Sequence, residues 1–271
     1  MDALIKPILL IGESCTDVCL YGDITRLNPE APTPVMSYNH EDVSFGMSSN
    51  VKSNILSLSN SHIAVRHICN DNEITKTRFI DEKYGYILLR LDRGSTTPRI
   101  AEDVIKNLCE ELENGDYSAL AISDYDKGFL SHEDIEVLCA SASIGKTMSF
   151  MDTKKKFHEF LNGCNIVKVN EAEYKANGWG RALNETIVVT MGERGAKVIP
   201  FAGEGSTIPT SPQEVVNAAG AGDTFFAALI YKTLLGSKLY DAVRYANIAA
   251  GIAVSKSGVV AVNHCEIGGI D

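Results

Sequence analysis

The stretch VVNAAGAGDTFFAALIYKTLL, residues 215–235, raises the central question about this chain. Three small residues, Gly220, Ala221 and Gly222, lead into Asp223 and then into an apolar pattern with helical spacing. The first turn of a helix attracts anions, because its N–H groups are unpaired and it carries the positive end of the helix dipole. Glycines there let a phosphate approach the backbone. We therefore expect a phosphate site at this helix, with Asp223 placed to accept a hydroxyl proton.

The same residues also suit a purely structural role. Aspartate is common in the first turn of a helix, and Gly-Ala-Gly forms a tight turn. The sequence contains no G-x-x-x-x-G-K-[ST] phosphate loop and no G-x-G-x-x-G at its first βα turn, so the usual nucleotide-binding fingerprints are missing. The interpretation of Asp223 therefore depends on the rest of the chain.

Around this stretch, short apolar runs alternate with helical patterns. The runs PILLIG, ALAIS, TMSFM, NIVKV, TIVVT and AKVIPF are predicted to be buried strands. The helical patterns are SSNVKSNILSLSN, AEDVIKNLCEELEN, SHEDIEVLCASA and LYDAVRYANIAAGIAVSKS. This alternation predicts an α/β fold with a doubly wound, mostly parallel sheet. Loops that follow the strands then meet at one edge of the sheet, where ligands bind in such folds.

Two segments, about 14–45 and 73–92, break this rhythm. Both alternate polar and apolar residues and contain turn residues and aromatics, which predicts β-ribbons outside the main sheet. The two ribbons are expected to pair into one small β lid. No linker rich in Pro, Gly or Ser divides the chain, so residues 1–271 are predicted to form a single domain.

Composition narrows the classes of function. The 271 residues carry a net charge of −10, which argues against a broad nucleic-acid or anionic-membrane surface. No apolar run approaches the length of a membrane span, and PILLIG lacks a signal-peptide cleavage site. The odd number of scattered cysteines, 7, predicts free thiols in a reducing compartment. We therefore expect a cytoplasmic protein with a small-molecule ligand.

Several motifs resemble those of the ribokinase/PfkB carbohydrate kinases. The GAGD run resembles the C-terminal signature of that family, FGMSSNVKSN its N-terminal signature, and VNEAE its N-x-x-E element. VVTMGERGAKVI resembles the segment that lines the nucleotide phosphates, and YANIAAGIAVSKSG the helix beside the adenine. More narrowly, GESCTDVCLYGDITRLNPEAPTPV, SDYDKG and ITKTRF…LLRLD resemble the heptose-7-phosphate kinases that make ADP-heptose precursors. The resemblance covers nearly the whole chain and implies a ribokinase-like fold.

The resemblance also implies a reaction, in which ATP with Mg²⁺ phosphorylates a hydroxyl of a sugar or sugar phosphate. Asp223 would be the catalytic base, and the N–H groups of Gly220, Ala221 and Gly222 would hold the charge that develops on the transferred phosphoryl group. The implied cofactor-binding residues are Asn170 and Glu173 beside Mg²⁺, Thr190, Gly192 and Gly195 along the nucleotide, and Asn247 near its base. Glu173 is the implied metal residue.

The implied substrate-binding residues fall into two groups. Asp17, Gly46 and Asn50 would contact the sugar, and Lys76, Arg78 and Lys127 would meet a phosphate group on the substrate. Relatives in this family often dimerise through their lids, and the ribbon TPVMSYN offers an edge that could pair. A homodimer through the lid is therefore a further implication.

Each implied residue also has a structural interpretation. Asp17 could form a turn after the first strand, and Asn50 could lie at the start of a helix. Asn170 could cap the helix that EAEYKA begins, with Glu173 as its capping-box partner. Lys76, Arg78 and Lys127 could be solvated surface charges.

The chain departs from the family pattern at several points. The paired glycines of the N-terminal signature read Gly46-Met47, and the first Asp and the Thr of the C-terminal signature read Asn217 and Ala219. After LSLSN the chain also lacks a strand and helix that relatives usually carry. These departures leave open a degenerate sugar- or nucleotide-binding protein with weak or no kinase activity. A dinucleotide oxidoreductase, the default for a doubly wound sheet, lacks its glycine fingerprint.

Overall fold

The computed structural model describes residues 6–156, 163–177, 186–200, 204–211 and 213–268. Its strands are β1 (Ile8–Gly12), β2 (Ser14–Leu27), β3 (Pro34–Met47), β4 (Val65–Ile68), β5 (Thr75–Asp81), β6 (Ile87–Arg93), β7 (Ala119–Asp124), β8 (Met148–Thr153), β9 (Ile166–Asn170), β10 (Thr186–Thr190), β11 (Ala196–Ile199) and β12 (Ser206–Ile208). Its helices are α1 (Ser48–Leu58), α2 (Glu102–Glu113), α3 (His132–Ile144), α4 (Glu171–Ala176), α5 (Ala221–Leu234), α6 (Leu239–Val254) and α7 (His264–Ile267).

Eight strands form the main sheet, in the order β12-β11-β10-β9-β8-β7-β1-β4. The six adjacent strands β10, β9, β8, β7, β1 and β4 are parallel to one another. Strand β11 is antiparallel to β10, and β12 is antiparallel to β11. Every residue of β1 and β7 is buried, as expected for parallel strands covered on both faces. The predicted α/β fold with a mostly parallel sheet is confirmed.

Helices pack against both faces of the main sheet. Because side chains alternate along a strand, Ile8 and Leu10 of β1 pack with α1, α5 and α6. Leu9 and Ile11 point to the opposite face and pack with α2 and α3. An apolar core thus lies on each face of the main sheet. Because the strands are parallel, their carboxyl ends meet at one edge, and the two cores support the loops there.

A second sheet of four strands, in the order β3-β2-β5-β6, forms the lid. Strand β2 is antiparallel to β3 and parallel to β5, and β5 is antiparallel to β6. The four strands fall in the two segments predicted to form the lid, 14–45 and 73–92, and extend at most two residues beyond them. Since β2 begins just after β1, and β3 ends where α1 begins, the lid extends directly from the edge where the parallel strands end.

The sequence pattern does not predict β4, β12 or α7. Strand β4 reads VRHI, and its polar residues hide the strand signal because β4 is the edge strand of the main sheet. His67 of β4 has a structural partner, since its Nε2 lies 2.8 Å from Oγ of Ser48. The chain passes from β4 to β5 through residues 69–74, and no further strand or helix intervenes.

Two further sequence-based expectations concern the whole chain. The seven cysteines are all free thiols. Among the residues that the structure describes, no helix combines the length and the apolar character needed to cross a bilayer.

Candidate active site

The start of helix α5 is a glycine turn. Gly220 has a φ of 79°, where an L side chain is strained, and a Cβ atom there would lie 2.7 Å from Nδ2 of Asn50. The first bond of the helix runs from the Thr224 N–H to the Gly220 carbonyl, at 2.9 Å. Within the described residues, the N–H groups of Gly222 and Asp223 have no hydrogen-bond partner. The turn therefore presents free donors, as an anion site requires.

Asp223 lies in this first turn and is only 3% exposed. Its Oδ1 accepts a hydrogen bond from the Tyr125 hydroxyl at 2.5 Å, and its Oδ2 accepts one from Nδ2 of Asn50 at 3.1 Å. Burial raises the pKa of Asp223 to about 6, although both hydrogen bonds act in the opposite direction. The carboxyl group is therefore mostly ionised at neutral pH and able to accept a proton.

A cleft of about 360 Å³ opens beside the start of α5. Its apolar wall includes Phe225, Ala250 and Val254 of α5 and α6, which suits a flat apolar ring. The cleft brings together six of the predicted catalytic and nucleotide-site residues: Thr190, Gly192, Gly195, Ala221, Gly222 and Asn247.

Two polar side chains of the cleft brace its walls. The Asn247 amide donates to the Ile208 carbonyl at 3.0 Å, and the Thr190 hydroxyl donates to the Val169 carbonyl at 3.2 Å. The cleft is therefore shaped mainly by backbone and apolar groups, and Asn247 secures the end of β12.

Asn170 and Glu173 form a capping box at the start of α4. Oδ1 of Asn170 accepts from the Glu173 N–H, and Oε2 of Glu173 accepts from the Asn170 N–H, both at 2.8 Å. The structural interpretation of this pair is therefore confirmed. The second carboxylate oxygen of Glu173 accepts from Nζ of Lys154 at 2.5 Å. The role of this pair beside Mg²⁺ stays a prediction.

A buried ion pair that the motifs do not indicate lies beneath the glycine turn. Nζ of Lys168, in β9, donates to Oδ2 of Asp152 at 2.7 Å. Oδ1 of Asp152 is buried and has no hydrogen-bond partner among the described residues. A Cβ atom on Gly222 would lie 3.0 Å from Nζ of Lys168, so this ammonium group adjoins the first turn of α5. The available signal was a lysine inside the apolar run IVKVN, because a buried charge needs a partner or a function.

Three of the predicted substrate-binding residues, Asp17, Gly46 and Arg78, meet in the lid. Nη1 of Arg78, in β5, lies 2.6 Å from Oδ1 of Asp17, in β2, and both side chains are buried. A Cβ atom on Gly46 would lie 2.1 Å from Oδ2 of Asp17, so a glycine is needed to leave room for that carboxylate. Arg78 is therefore not a solvated surface charge, and Asp17 lies in a strand rather than in a turn.

The other three predicted substrate residues lie around Asp223 and Tyr125. The Asn50 side chain is engaged on both sides, since its amide nitrogen donates to Asp223 and its oxygen accepts from Asn54 at 2.9 Å. Nζ of Lys76 lies 5.4 Å from the centroid of the Tyr125 ring. Lys127 follows Tyr125 in the loop after β7 and is half-buried.

Met47 joins the lid to α1 in an unusual conformation. Its φ of 57° and ψ of −136° lie in a region that is almost restricted to glycine. The side chain is buried and packs with Cys15, Ile74 and Tyr125. Where the family signature has its second glycine, this chain therefore places the Met47 side chain in contact with both the lid and Tyr125, the residue that contacts Asp223.

Curated relatives match nearly the whole chain at modest identity. Bifunctional protein HldE of Bradyrhizobium diazoefficiens is 28% identical over 309 residues, which cover 97% of this chain and 62% of that protein. Bifunctional protein HldE of Rhodopseudomonas palustris is 27% identical over 318 residues, which cover 98% and 64%. The chain thus spans less than two thirds of the length of these relatives.

Solved structures share the fold at low identity. Phosphofructokinase-2 from Escherichia coli, in complex with potassium, matches with a TM-score of 0.73 at 16% identity and 97% coverage of both chains. Ribokinase of Arabidopsis thaliana, complexed with ribose and ATP, matches with a TM-score of 0.70 at 13% identity, again over 97% of both chains. The fold is therefore ribokinase-like, as the motifs predict.

The sequence match to the family covers most of the chain. Residues 52–264 match the pfkB family carbohydrate kinase model, a range that begins within α1 and includes the N-x-x-E element and the glycine turn before α5. The chain belongs to the pfkB family of carbohydrate kinases.

Proposed function

We propose that this protein is an ATP-dependent kinase that transfers the γ-phosphoryl group to a hydroxyl of a sugar phosphate, with a heptose phosphate as the first candidate. The observation that carries the proposal is a buried, ionisable Asp223 beside a glycine turn whose free N–H groups border a cleft. An anion site and a proton acceptor within one helical turn are what phosphoryl transfer to an alcohol needs.

In this mechanism Asp223 would take the proton of the acceptor hydroxyl as the oxygen of that hydroxyl bonds to the γ-phosphorus, while the bond from that phosphorus to the bridging oxygen breaks and ADP leaves. The predicted donors were the N–H groups of Gly220, Ala221 and Gly222, but the Ala221 N–H already bonds to the Ala218 carbonyl at 3.4 Å. The N–H groups of Gly222 and Asp223, which have no partner among the described residues, would therefore stabilise most of the negative charge on the transferred group. The adjacent Lys168 ammonium adds positive charge at short range, partly balanced by Asp152.

The cleft fits a nucleotide better than it fits a protein-held metal ion. Gly222 carries no Cβ where the phosphates would lie, and the apolar wall suits an adenine ring. No three His, Cys, Asp or Glu side chains converge within the described residues. Magnesium would therefore be held mainly by the ATP phosphates and water, with Glu173 as its contact on the protein. Bound ATP would supply the phosphoryl group, and the cation would balance charge on it.

The acceptor is proposed to bind between the glycine turn and the lid. Nζ of Lys76 lies over the Tyr125 ring, and Lys127 belongs to the same loop as Tyr125. These two lysines would supply positive charge for a substrate phosphate, whereas Arg78 is already paired with Asp17. The heptose assignment rests on the resemblance of the lid segments and of SDYDKG to heptose-7-phosphate kinases, and the matched relatives are named HldE.

The proposal includes a homodimer and a cytoplasmic location. Several large apolar side chains are exposed on the lid, among them Phe45, Ile87 and Leu89, and such side chains suit contact with a second copy of the lid. Seven free thiols favour a reducing compartment.

The test is a coupled assay of ADP release over a panel of sugars and sugar phosphates, with and without Mg²⁺. The Asp223→Asn variant should lose about 1000-fold in kcat, because an amide cannot take the proton, and it should still bind ATP. The wild-type rate should rise through about pH 6 as Asp223 ionises. Asp241→Asn is the matched control, since Asp241 lies in the first turn of α6 and is exposed.

Two results would contradict this proposal in different ways. Turnover by Asp223→Asn at the wild-type rate would show that another residue is the base. ATP binding by the wild type without ADP release on any acceptor would favour a sugar- or nucleotide-binding relative that has lost kinase activity.

A further inference from the structure

The Tyr125 hydroxyl holds one oxygen of Asp223, and Asn50 holds the other. The two distances are 2.5 Å to Oδ1 and 3.1 Å to Oδ2. Asn50 lies in the first turn of α1, and Tyr125 lies just after β7, so the donors come from separate elements. Together they fix the rotation of the carboxylate and leave lone pairs on both oxygens for a further donor.

The backbone of Tyr125 is itself anchored. The Glu13 carboxylate is fully buried after β1 and accepts from the N–H groups of Tyr125 at 2.7 Å and Lys127 at 2.8 Å. It accepts a longer bond, of 3.4 Å, from the Phe129 N–H. The Glu13 carboxylate thus holds the loop 125–129 against the end of β1, and this anchoring fixes the position from which the Tyr125 hydroxyl reaches Asp223.

The ring of Tyr125 connects the lid with the phosphate side of the cleft. Nζ of Lys76, from the lid, lies 5.4 Å from the ring centroid, and Nζ of Lys154, which pairs with Glu173, lies 5.6 Å from it. Cation–π contacts of this kind fix the plane of the ring. Met47 packs against the same side chain.

We propose that Tyr125 is a positioning residue for the catalytic base: its hydroxyl orients the Asp223 carboxylate so that a remaining lone pair meets the acceptor alcohol. This inference rests on the proposed kinase function and extends it to a residue that the family motifs do not assign. Hydrogen bonds to a charged group are among the stronger ones in proteins, so loss of the hydroxyl should be measurable.

The pKa of Asp223 is affected by its burial, by two charged neighbours and by its two hydrogen bonds. Asp152 from β8 raises the pKa of Asp223 and Lys168 from β9 lowers it, while the main effect is burial, which raises it. The hydrogen bonds from Tyr125 and Asn50 favour the ionised form. Burial and the Asp223 charge raise the pKa of Tyr125 well above its usual value, so the phenol remains a donor throughout the physiological range.

The test compares Tyr125→Phe with wild type in kcat/KM profiles over pH 5–9. The acid limb should move upward by about one pH unit, because the ionised base has lost a donor, and most of the rate should return at alkaline pH. Tyr117→Phe is the matched control: the Tyr117 hydroxyl donates to a carboxylate, also at 2.5 Å, but that carboxylate is Glu111 of α2 and not Asp223. Its pH profile should superpose on that of wild type.

Several results would overturn the inference. An acid limb of Tyr125→Phe that superposes on the wild-type limb would do so, whatever the size of the loss in rate, because the hydrogen bond to the ionised Asp223 would then be absent in solution. A titration of the Asp223 carboxyl carbon by ¹³C NMR, assigned with Asp223→Asn, needs no turnover. If the wild type proves inactive, the proposed function fails, and an unchanged titration midpoint in Tyr125→Phe would separately refute the positioning role.

Discussion

The main sheet and the lid use burial in opposite ways. In the main sheet, apolar strands such as β1 and β7 are buried along their whole length. In the lid, Asp17, Arg78 and Asp81 are buried, whereas every residue of β6, including Leu89 at 59%, is exposed. A free-standing soluble sheet would show the reverse pattern. This pattern is consistent with the proposed roles of the lid, in which its buried polar groups face the substrate and its exposed apolar groups face a second copy.

This difference indicates that the main sheet supplies most of the stability of the fold, whereas the lid carries groups suited to binding. Burial of apolar side chains supplies most of the free energy of folding, and here that burial lies in the two cores that flank the main sheet. A buried ion pair adds little net stability but fixes the position of its charges. Variants in the two regions should therefore affect different measurements.

The largest expected effect comes from a matched pair of leucines. Leu108→Ala removes a fully buried side chain of α2 and should lower the free energy of unfolding by about 4 kcal/mol, through lost burial and a residual cavity. Leu89→Ala, on the lid, should change the free energy of unfolding of the monomer by less than about 0.5 kcal/mol. Urea denaturation at low protein concentration measures both.

The same pair distinguishes the lid surface from the core by self-association. If the proposed lid homodimer forms, Leu89→Ala should weaken it in sedimentation velocity, and Leu108→Ala should leave its contacts intact while the protein remains folded. Equal destabilisation of the two dilute monomers would show that the outer lid surface is part of the cooperative core.

The main sheet was predictable because its signal is local. A run such as PILLIG carries its burial in its own composition, and β1 follows it closely. The lid was predictable as a ribbon, but alternation along a strand does not tell which face is covered. Arg78 was open to interpretation as a surface charge for this reason, since its burial depends on Asp17, which lies on another strand.

The second expected effect concerns the buried pair of the lid. Asp17→Asn should destabilise the lid by about 2 kcal/mol, because Arg78 keeps an acceptor but loses its countercharge in a buried site. Amide hydrogen exchange in β2 and β5 should report this loss, and the KM for the sugar should rise while the KM for ATP stays constant.

An exposed ion pair on the same sheet provides the control. Arg90 and Asp92 of β6 are joined at 2.7 Å, but about half of each side chain is exposed. Asp92→Asn should therefore cost less than about 1 kcal/mol. Equal effects of Asp17→Asn and Asp92→Asn on hydrogen exchange in β2 and β5 would show that burial does not make the Asp17–Arg78 pair more important than the exposed pair.

The candidate site was predictable in its positions and less so in its pairings. Loop residues after the strands could be located from the sequence, because the carboxyl ends of parallel strands meet at one edge. The partners of Asp223 could not, since Tyr125 and Asn50 are far from it in the chain and meet it only through the fold. Asn170 and Glu173 were the exception, because a capping box is a local pattern.

The smallest expected effect lies where the lid joins the main sheet. At an ordinary buried position, glycine is less stable than alanine by about 0.5–1 kcal/mol. Met47→Gly and Met47→Ala both lose the packing against Cys15, Ile74 and Tyr125, but only glycine relieves the positive φ. The glycine variant should therefore be more stable than the alanine variant by about 1 kcal/mol, in urea denaturation.

The two Met47 variants also show which contribution dominates in the wild type. Loss of a buried methionine costs about 2 kcal/mol or more, and a residue held in a glycine-like conformation costs about 1–3 kcal/mol. Because these contributions oppose each other, Met47→Gly should lie within about 1 kcal/mol of wild type. Greater stability of the alanine variant than of the glycine variant would show that the backbone at residue 47 is not strained in solution, and the lid would then join the main sheet through a relaxed connection.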